Sequence, residues 1–335
     1  MAKYVTIKDI ARELGISKST VSCALSGDTG NVKAETLQKI METAEQMGYH
    51  RNDLAVHLRQ QSTHNIGIII PEIITSFYMT FINEAQTILR NQGYKVMIAI
   101  SNENPEQERE NIQMMEQLRV DGILISVCDK EYNIDLYNKV IENGIPMVFF
   151  DRTVEKVKAS QVRMDDYIMA FFMVEALLRK GYKHIIHIPG PAYIRNSYER
   201  LSGYRDALEK FHVEYQPQDV LSPALSAEEG SWVMKQYLQQ NVPFDAVFGF
   251  TETAVLGAKS EIQKQGLRIP NDVALCCMSG TALATLVHPQ LTAVEQPIGK
   301  MAQESCRLLM EHITDSNKKT EEIALRGETV IREST

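Results

Sequence analysis

This chain of 335 residues has no metal-ligand or disulfide framework. Its five cysteines, Cys23, Cys128, Cys276, Cys277 and Cys306, are odd in number, two are adjacent, and none has CxxC or zinc spacing. Reduced thiols in a cytosolic protein are the favoured reading. The opening MAKYVTIKDI has no apolar signal core, which argues against a secretory leader. No apolar run approaches the roughly 18 residues of a membrane span. A cytoplasmic protein without a membrane partner is expected.

The usual enzyme motifs are missing too. There is no GxGxxG after the first strand-like segment, and no GxxxxGK[ST], HExxH or GxSxG. His184 and His187 alternate with isoleucines and read as structural. Asp165–Asp166 reads more simply as a helix cap than as a paired-carboxylate site. The expectation is a protein that is not an enzyme and has neither cofactor nor metal.

Charge is unevenly spread. The chain carries a formal −8, which excludes a general nucleic-acid binder. Residues 1–60 hold five Lys, three Arg and seven acids, so their balance is slightly positive. Any phosphate affinity therefore sits at the N-terminus, and the acidic remainder repels DNA.

Residues 1–60 contain no proline and have helical spacing. Val5, Ile7, Ile10, Ala11 and Leu14 mark a first helix with Thr6 as its cap. Gly15 stops it, because a left-handed backbone costs glycine little. Ser17 can cap a second helix, SKSTVSCALSG, in which Val21, Ala24 and Leu25 face inward. A third helix runs through Leu37, Ile40, Met41, Ala44 and Met47 to Gly48. Two short helices joined by a tight turn and braced by a third make a helix-turn-helix. A following helix over 53–59 is too short to be stable alone.

From Ile66 the pattern alternates between apolar strands such as IGIIIP and DGILISV and amphipathic helices. This predicts a doubly wound parallel sheet, and the rhythm then repeats as a second, similar lobe. EIALRGETVIRE reads as a final strand pair. Open sheets take ligands at the carboxyl ends of their strands, so the cleft candidates are 72–77, 126–129, 151–152, 190–193, 251–252 and 279–280.

Read together, TIKDIARELGISKSTVS, the Gly48–Tyr49…Asn52 step, LAVHL, VDGILI, ENGIPMVFFDR, RLSGYRDAL, GLRIPNDVAL and PQLTAVEQP resemble the LacI/GalR family of bacterial transcription regulators. They run in family order over nearly the whole chain. The resemblance implies an all-α helix-turn-helix domain (1–50) and a hinge helix and linker (51–64). Two doubly wound lobes like type I periplasmic binding proteins follow, drawn as 65–160 plus 292–320 and 161–291 plus 321–335. It further implies a homodimer on a pseudo-palindromic double-stranded operator, repressing a catabolic operon under a small-molecule effector, a sugar or sugar derivative. A sugar-binding protein with no DNA role is the alternative, against which residues 1–60 speak.

By the same resemblance, the DNA-facing residues are Thr6, Ser17, Lys18, Ser19, Thr20, Ser22, Cys23, Asn31, Tyr49, Asn52, Leu54, Ala55 and Leu58. Leu58 matches the position that wedges between base pairs. Cys23 stands where the family usually has an arginine to grip guanine. The effector-facing residues are Ser76, Phe77, Asp151, Asp165, Arg200, Thr251, Glu252 and Ser279. Thr251-Glu252 replaces the usual Asn-Asp, Ser279 replaces a usual Asp, and Thr75-Ser76 replaces Asn-Pro. These departures weigh against a generic sugar, whose hydroxyls such acids would pair.

Overall fold

The computed structural model describes residues 5–26, 32–49 and 62–335. The chain divides into two compact units, Met1–Thr63 and His64–Thr335. In the first, α1 (Ile7–Leu14) opens where the Thr6 amide and hydroxyl both donate to the Asp9 carboxylate, at 3.0 and 2.6 Å. Gly15 ends it at φ +66°. α2 (Lys18–Ser26) starts where the Thr20 amide donates to Ser17 Oγ at 3.1 Å, and α3 (Ala34–Gln46) follows. Ile10, Ala11, Val21, Ala24, Ile40 and Ala44 bury the faces that the three helices share. Leu25 and Tyr49 pack half-buried against them. The predicted helix over 53–59 lies outside the described residues.

The second unit contains two sheets. The first runs in the order β10-β5-β4-β3-β1-β2, from β1 (Asn65–Ile70), β2 (Lys95–Ile100), β3 (Gly122–Ile125), β4 (Met147–Phe150), β5 (Ser160–Met164) and β10 (Glu322–Leu325), and all its pairings are parallel. The second runs β11-β9-β8-β7-β6, from β6 (Ile185–Ile188), β7 (Ala246–Gly249), β8 (Ala274–Gly280), β9 (Thr292–Glu295) and β11 (Glu328–Val330). Only β11 is antiparallel there. The central strands are buried on both faces and read as near-continuous apolar runs.

Helices cover both faces of each sheet. In the first lobe, α4 (Ser76–Asn91) and α12 (Ile298–Thr314) bury Phe81, Ala85, Met301 and Cys306 on one side. On the other, α5 (Pro105–Gln117) and α6 (Ile134–Glu142) bury Ile112, Met115, Tyr137 and Val140. In the second lobe, α7 (Asp166–Arg179) and α8 (Arg195–Lys210) face α9 (Ala227–Leu238), α10 (Glu252–Lys264) and the short α11 (Ala282–Leu286) across the sheet.

The strands partition the chain differently from the predicted domain bounds. β5 extends the first sheet past residue 160, β9 belongs to the second sheet rather than the first, and β10 returns to the first. The predicted terminal pair does not form: Glu322 aligns with Gln161 in one sheet, while Thr329 aligns with Val294 in the other. The chain therefore crosses between lobes three times, after β5, after β9 and after β10. Nearest-neighbour pairing is only a tendency, and here the edges of both lobes are completed by remote segments.

Candidate effector cleft and DNA-reading helix

Between the two lobes, a cleft of about 260 Å³ collects the carboxyl ends of strands from both sheets. Such ends are where open α/β sheets bind ligands. β1 delivers Glu72, β4 delivers Asp151 and Arg152, β7 delivers Phe250 to Thr253, β8 leads to Ser279 and Thr281, and β9 leads to Gln296. The first turn of α4 adds Ser76 and Phe77, and α8 adds Asn196 and Arg200.

Asp151 is buried and has φ +56°, a region uncommon for any residue but glycine. Its carboxylate accepts from Tyr78 Oη at 2.8 Å and Asn196 Nδ2 at 3.3 Å. Burial pushes its pKa above the usual carboxylate range, against the pull of Arg152. Glu252 also lies deep, accepting from the Thr281 amide at 3.2 Å and Thr281 Oγ1 at 2.6 Å, and burial raises it too. Glu72 accepts from the Thr75 amide at 2.9 Å, in the loop that leads into α4. Thr251 caps α10 by accepting from the Ala254 amide at 3.2 Å. Ser279 Oγ accepts from the Glu252 amide at 3.3 Å.

The two guanidiniums in the wall are already engaged. Arg200 Nε donates to Asp166 at 2.7 Å, Nη1 donates to the Phe250 carbonyl at 2.6 Å, and Cζ lies 4.2 Å from the Phe250 ring centroid. Arg152 makes a two-pronged pair with Glu103 at 2.7 and 2.9 Å.

Seven of the eight effector-facing expectations line this cleft: Ser76, Phe77, Asp151, Arg200, Thr251, Glu252 and Ser279. Asp165 does not line it. Its side chain accepts from the Ile168 amide at 3.2 Å and caps α7, as the simpler reading of Asp165–Asp166 held. The neighbouring Asp166 reaches Arg200 instead, because consecutive helical residues point about 100° apart. Segments 126–129 and 190–193, though at strand ends, do not line it either. Ser126 lies one layer back, where its hydroxyl meets Tyr78 Oη at 3.1 Å. Asn196, Thr281 and Gln296 escaped the sequence reading. A search of α8 at helical spacing from Arg200 would have found Asn196, and the end of PQLTAVEQP pointed at Gln296.

The first unit carries the other candidate surface. At the start of α2, Ser17, Lys18 and Ser19 are exposed, and Thr20, Ser22 and Cys23 are half-buried. Ser17 Oγ lies 2.7 Å from Ser19 Oγ and 2.8 Å from Thr20 Oγ1, so one hydroxyl chain tops the helix. Val21 and Ala24 occupy the opposite face, in the core. Tyr49 is held against that core, and its amide donates to the Ala44 carbonyl at 2.8 Å. Asn31, Asn52, Leu54, Ala55 and Leu58 lie outside the described residues.

Both halves match family models. Residues 6–52 match bacterial regulatory proteins of the lacI family, and residues 63–326 match periplasmic binding proteins and the sugar-binding domain of the LacI family. The chain belongs to the LacI family. It is a DNA-binding transcription regulator with an effector-binding body. Catabolite control protein A of Priestia megaterium is 28% identical over 333 residues, covering 99% of each chain. The ribose operon repressor of Halalkalibacterium halodurans is 27% identical over 330 residues, 98% of this chain and 97% of its own. Among solved structures, the lac repressor dimer bound to operator and the anti-inducer ONPF matches with a TM-score of 0.85 at 20% identity, over 99% of both chains. The cellobiose complex of the regulator CelR matches at 0.76 and 24% identity, over 99% of this chain and 100% of that one. At such identities the structures establish the fold. LacI-family members are regulators, in keeping with the missing enzyme motifs. No helix among the described residues is long and apolar enough to cross a membrane.

Proposed function

We propose that this LacI-family regulator is a cytoplasmic repressor of a carbohydrate-utilisation operon, acting as a homodimer on a pseudo-palindromic operator. In this reading α2 enters the major groove, with Lys18, Ser19, Ser22 and Cys23 toward base edges and Ser17 and Thr20 toward phosphates. Asn31, Asn52, Leu54, Ala55 and Leu58 extend the contact, Leu58 in the minor groove. Thr6 and Tyr49 complete the DNA-facing set. An effector held by Asp151, Arg200, Thr251, Glu252 and Ser279, with Ser76 and Phe77 at the wall, biases the lobes toward one arrangement and so sets operator affinity.

The observation that carries this reading is that a helix-turn-helix and a cleft between two lobes share one chain. Fluorescence anisotropy with a palindrome selected from random DNA tests it. Specific binding at least about 1,000-fold tighter than to random duplex at physiological salt is expected. Equal affinity for the two would sink it.

Cys23 makes the operator unusual. A thiol is a weak donor that cannot grip guanine bidentately. The base pair it faces is expected to lack a guanine preference, and Cys23→Arg to add about 1–3 kcal/mol of discrimination for guanine there. Competition binding across the four base pairs at that position measures it, and an unchanged preference in the variant refutes the assignment.

A further inference from the structure

The cleft has a sign. Among the groups that line it or directly pair with its lining, five carboxylates (Glu72, Glu103, Asp151, Asp166 and Glu252) face two guanidiniums. Both guanidiniums are occupied, Arg152 by Glu103 and Arg200 by Asp166. The next arginines outward bring no relief, since Arg163 and Arg195 are held by Glu199 and Glu322. Glu72, Asp151 and Glu252 are in no ion pair among the described residues, and they are only 9%, 8% and 4% exposed. Among the described residues their hydrogen bonds come from neutral amides and hydroxyls, and the nearby Arg152 and Arg200 act on Asp151 only through space. A second feature agrees with this sign. Gln296 lines the same cleft, and its carbonyl oxygen Oε1 is buried without a hydrogen-bond donor. The wall therefore carries surplus negative charge, with an unmet acceptor just behind its surface.

Resting on the effector-cleft reading above, we infer that the cleft selects an effector bearing a protonated amine, of the hexosamine type, and rejects phosphorylated sugars. An ammonium brings three donors and a positive charge to a wall whose two guanidiniums are already paired. It repays carboxylates whose burial disfavours ionisation, the direction in which Asp151 and Glu252 are shifted. A phosphate would add about two negative charges and meet guanidiniums whose charge is already matched by Glu103 and Asp166. Phe77 contributes an aromatic surface, which tolerates a cation and gains nothing from an anion.

The sign is measurable without knowing the natural effector. Leu283 lines the cleft and is 39% exposed, so Leu283→Cys places a reactive thiol there. The body's own cysteines are buried, and Cys23 is replaced by serine in the probe chain. The thiol's rates with a cationic trimethylammonium and an anionic sulfonate methanethiosulfonate are compared, each normalised to free cysteine. The cationic reagent is expected to be favoured on the order of tenfold. Molar salt should compress that ratio, as should Asp151→Asn or Glu252→Gln. A ratio of one, or a preference for the anionic reagent, overturns the inference, and the salt arm needs no cleft variant to fold.

Calorimetry on the full chain with glucosamine, galactosamine and mannosamine, each against its parent hexose and its 6-phosphate, then tests the class. Tighter binding of an amine form supports the inference; equal or tighter binding of a hexose or 6-phosphate overturns it. A cation-favouring thiol ratio with no sugar bound supports the cationic site and instead overturns the carbohydrate reading.

Discussion

Arg200→Ala is expected to destabilise the body by about 3–5 kcal/mol near neutral pH, because it strands Asp166. Both side chains are almost fully buried, at 2% and 1% exposure, and the 2.7 Å contact is the only ion pair that either makes among the described residues. The loss also has a pH signature. Burial raises Asp166 to about 6, and Arg200 is the strongest influence in the opposite direction. A carboxyl raised above its unfolded value of roughly 3.9 holds its proton more tightly in the native state. Its contribution to stability is complete below about pH 4 and is lost as the pH climbs through 6. Without Arg200 the folded value rises further. The deficit of the alanine variant should then be widest near pH 8 and narrow near pH 5, where a neutral Asp166 needs no partner. Asp166→Asn strands the guanidinium instead, which cannot shed its charge, so its deficit should stay flat from about pH 6.5 to 8. Urea unfolding of the three proteins from about pH 5 to pH 8 measures both. Equal deficits at pH 5 and pH 8 for the alanine variant would remove the coupling.

The same pair marks how far the sequence could be read. Arg200 was legible because RLSGY carries a local pattern. Its partner was not, because contact across 34 positions leaves no spacing to recognise, and Asp165 and Asp166 differ only in which way each points. The strands followed this rule too. IGIIIP and DGILISV declare themselves by continuous apolar character, as strands buried on both faces do. SQVRM and TAVE do not, being short and partly polar, and EIAL was legible as a strand but not in its partner, since Glu322 aligns with the remote Gln161. Which sheet each joins depends on three crossings between lobes that no local periodicity encodes. The strand-end rule nonetheless located most of the cleft, because it follows from topology rather than from side-chain identity. It failed at 126–129 and 190–193, which do not line the cleft; beside them the Lys130 amide donates to the Tyr193 carbonyl at 3.1 Å, a direct link between the lobes.

Gly257→Ala is expected to be the costliest methyl group that can be added to the second lobe. α9 and α10 cross so closely there that a Cβ on Gly257 would sit 1.9 Å from the Ala227 carbonyl oxygen and 2.8 Å from the Ser231 amide nitrogen. Gly230 makes the reciprocal approach, 2.0 Å from the Ala254 carbonyl oxygen. These neighbours are backbone in regular helices, so no rotamer change can relieve the clash and the helices must part. Overpacking a well-filled interior costs about 1–3 kcal/mol, and more where it moves backbone; the upper end or beyond applies here. Function should suffer with stability, since α10 begins at Thr251 and Glu252, and parting the helices displaces the cleft wall. Gly299→Ala is the control: nothing lies within 4 Å of the added carbon, it sits in α12, and its φ is not positive. There the substitution should be neutral or stabilise by up to about 1 kcal/mol. Urea unfolding separates the two variants, and a Gly257→Ala protein as stable as the Gly299→Ala control would show that the α9–α10 contact yields without cost.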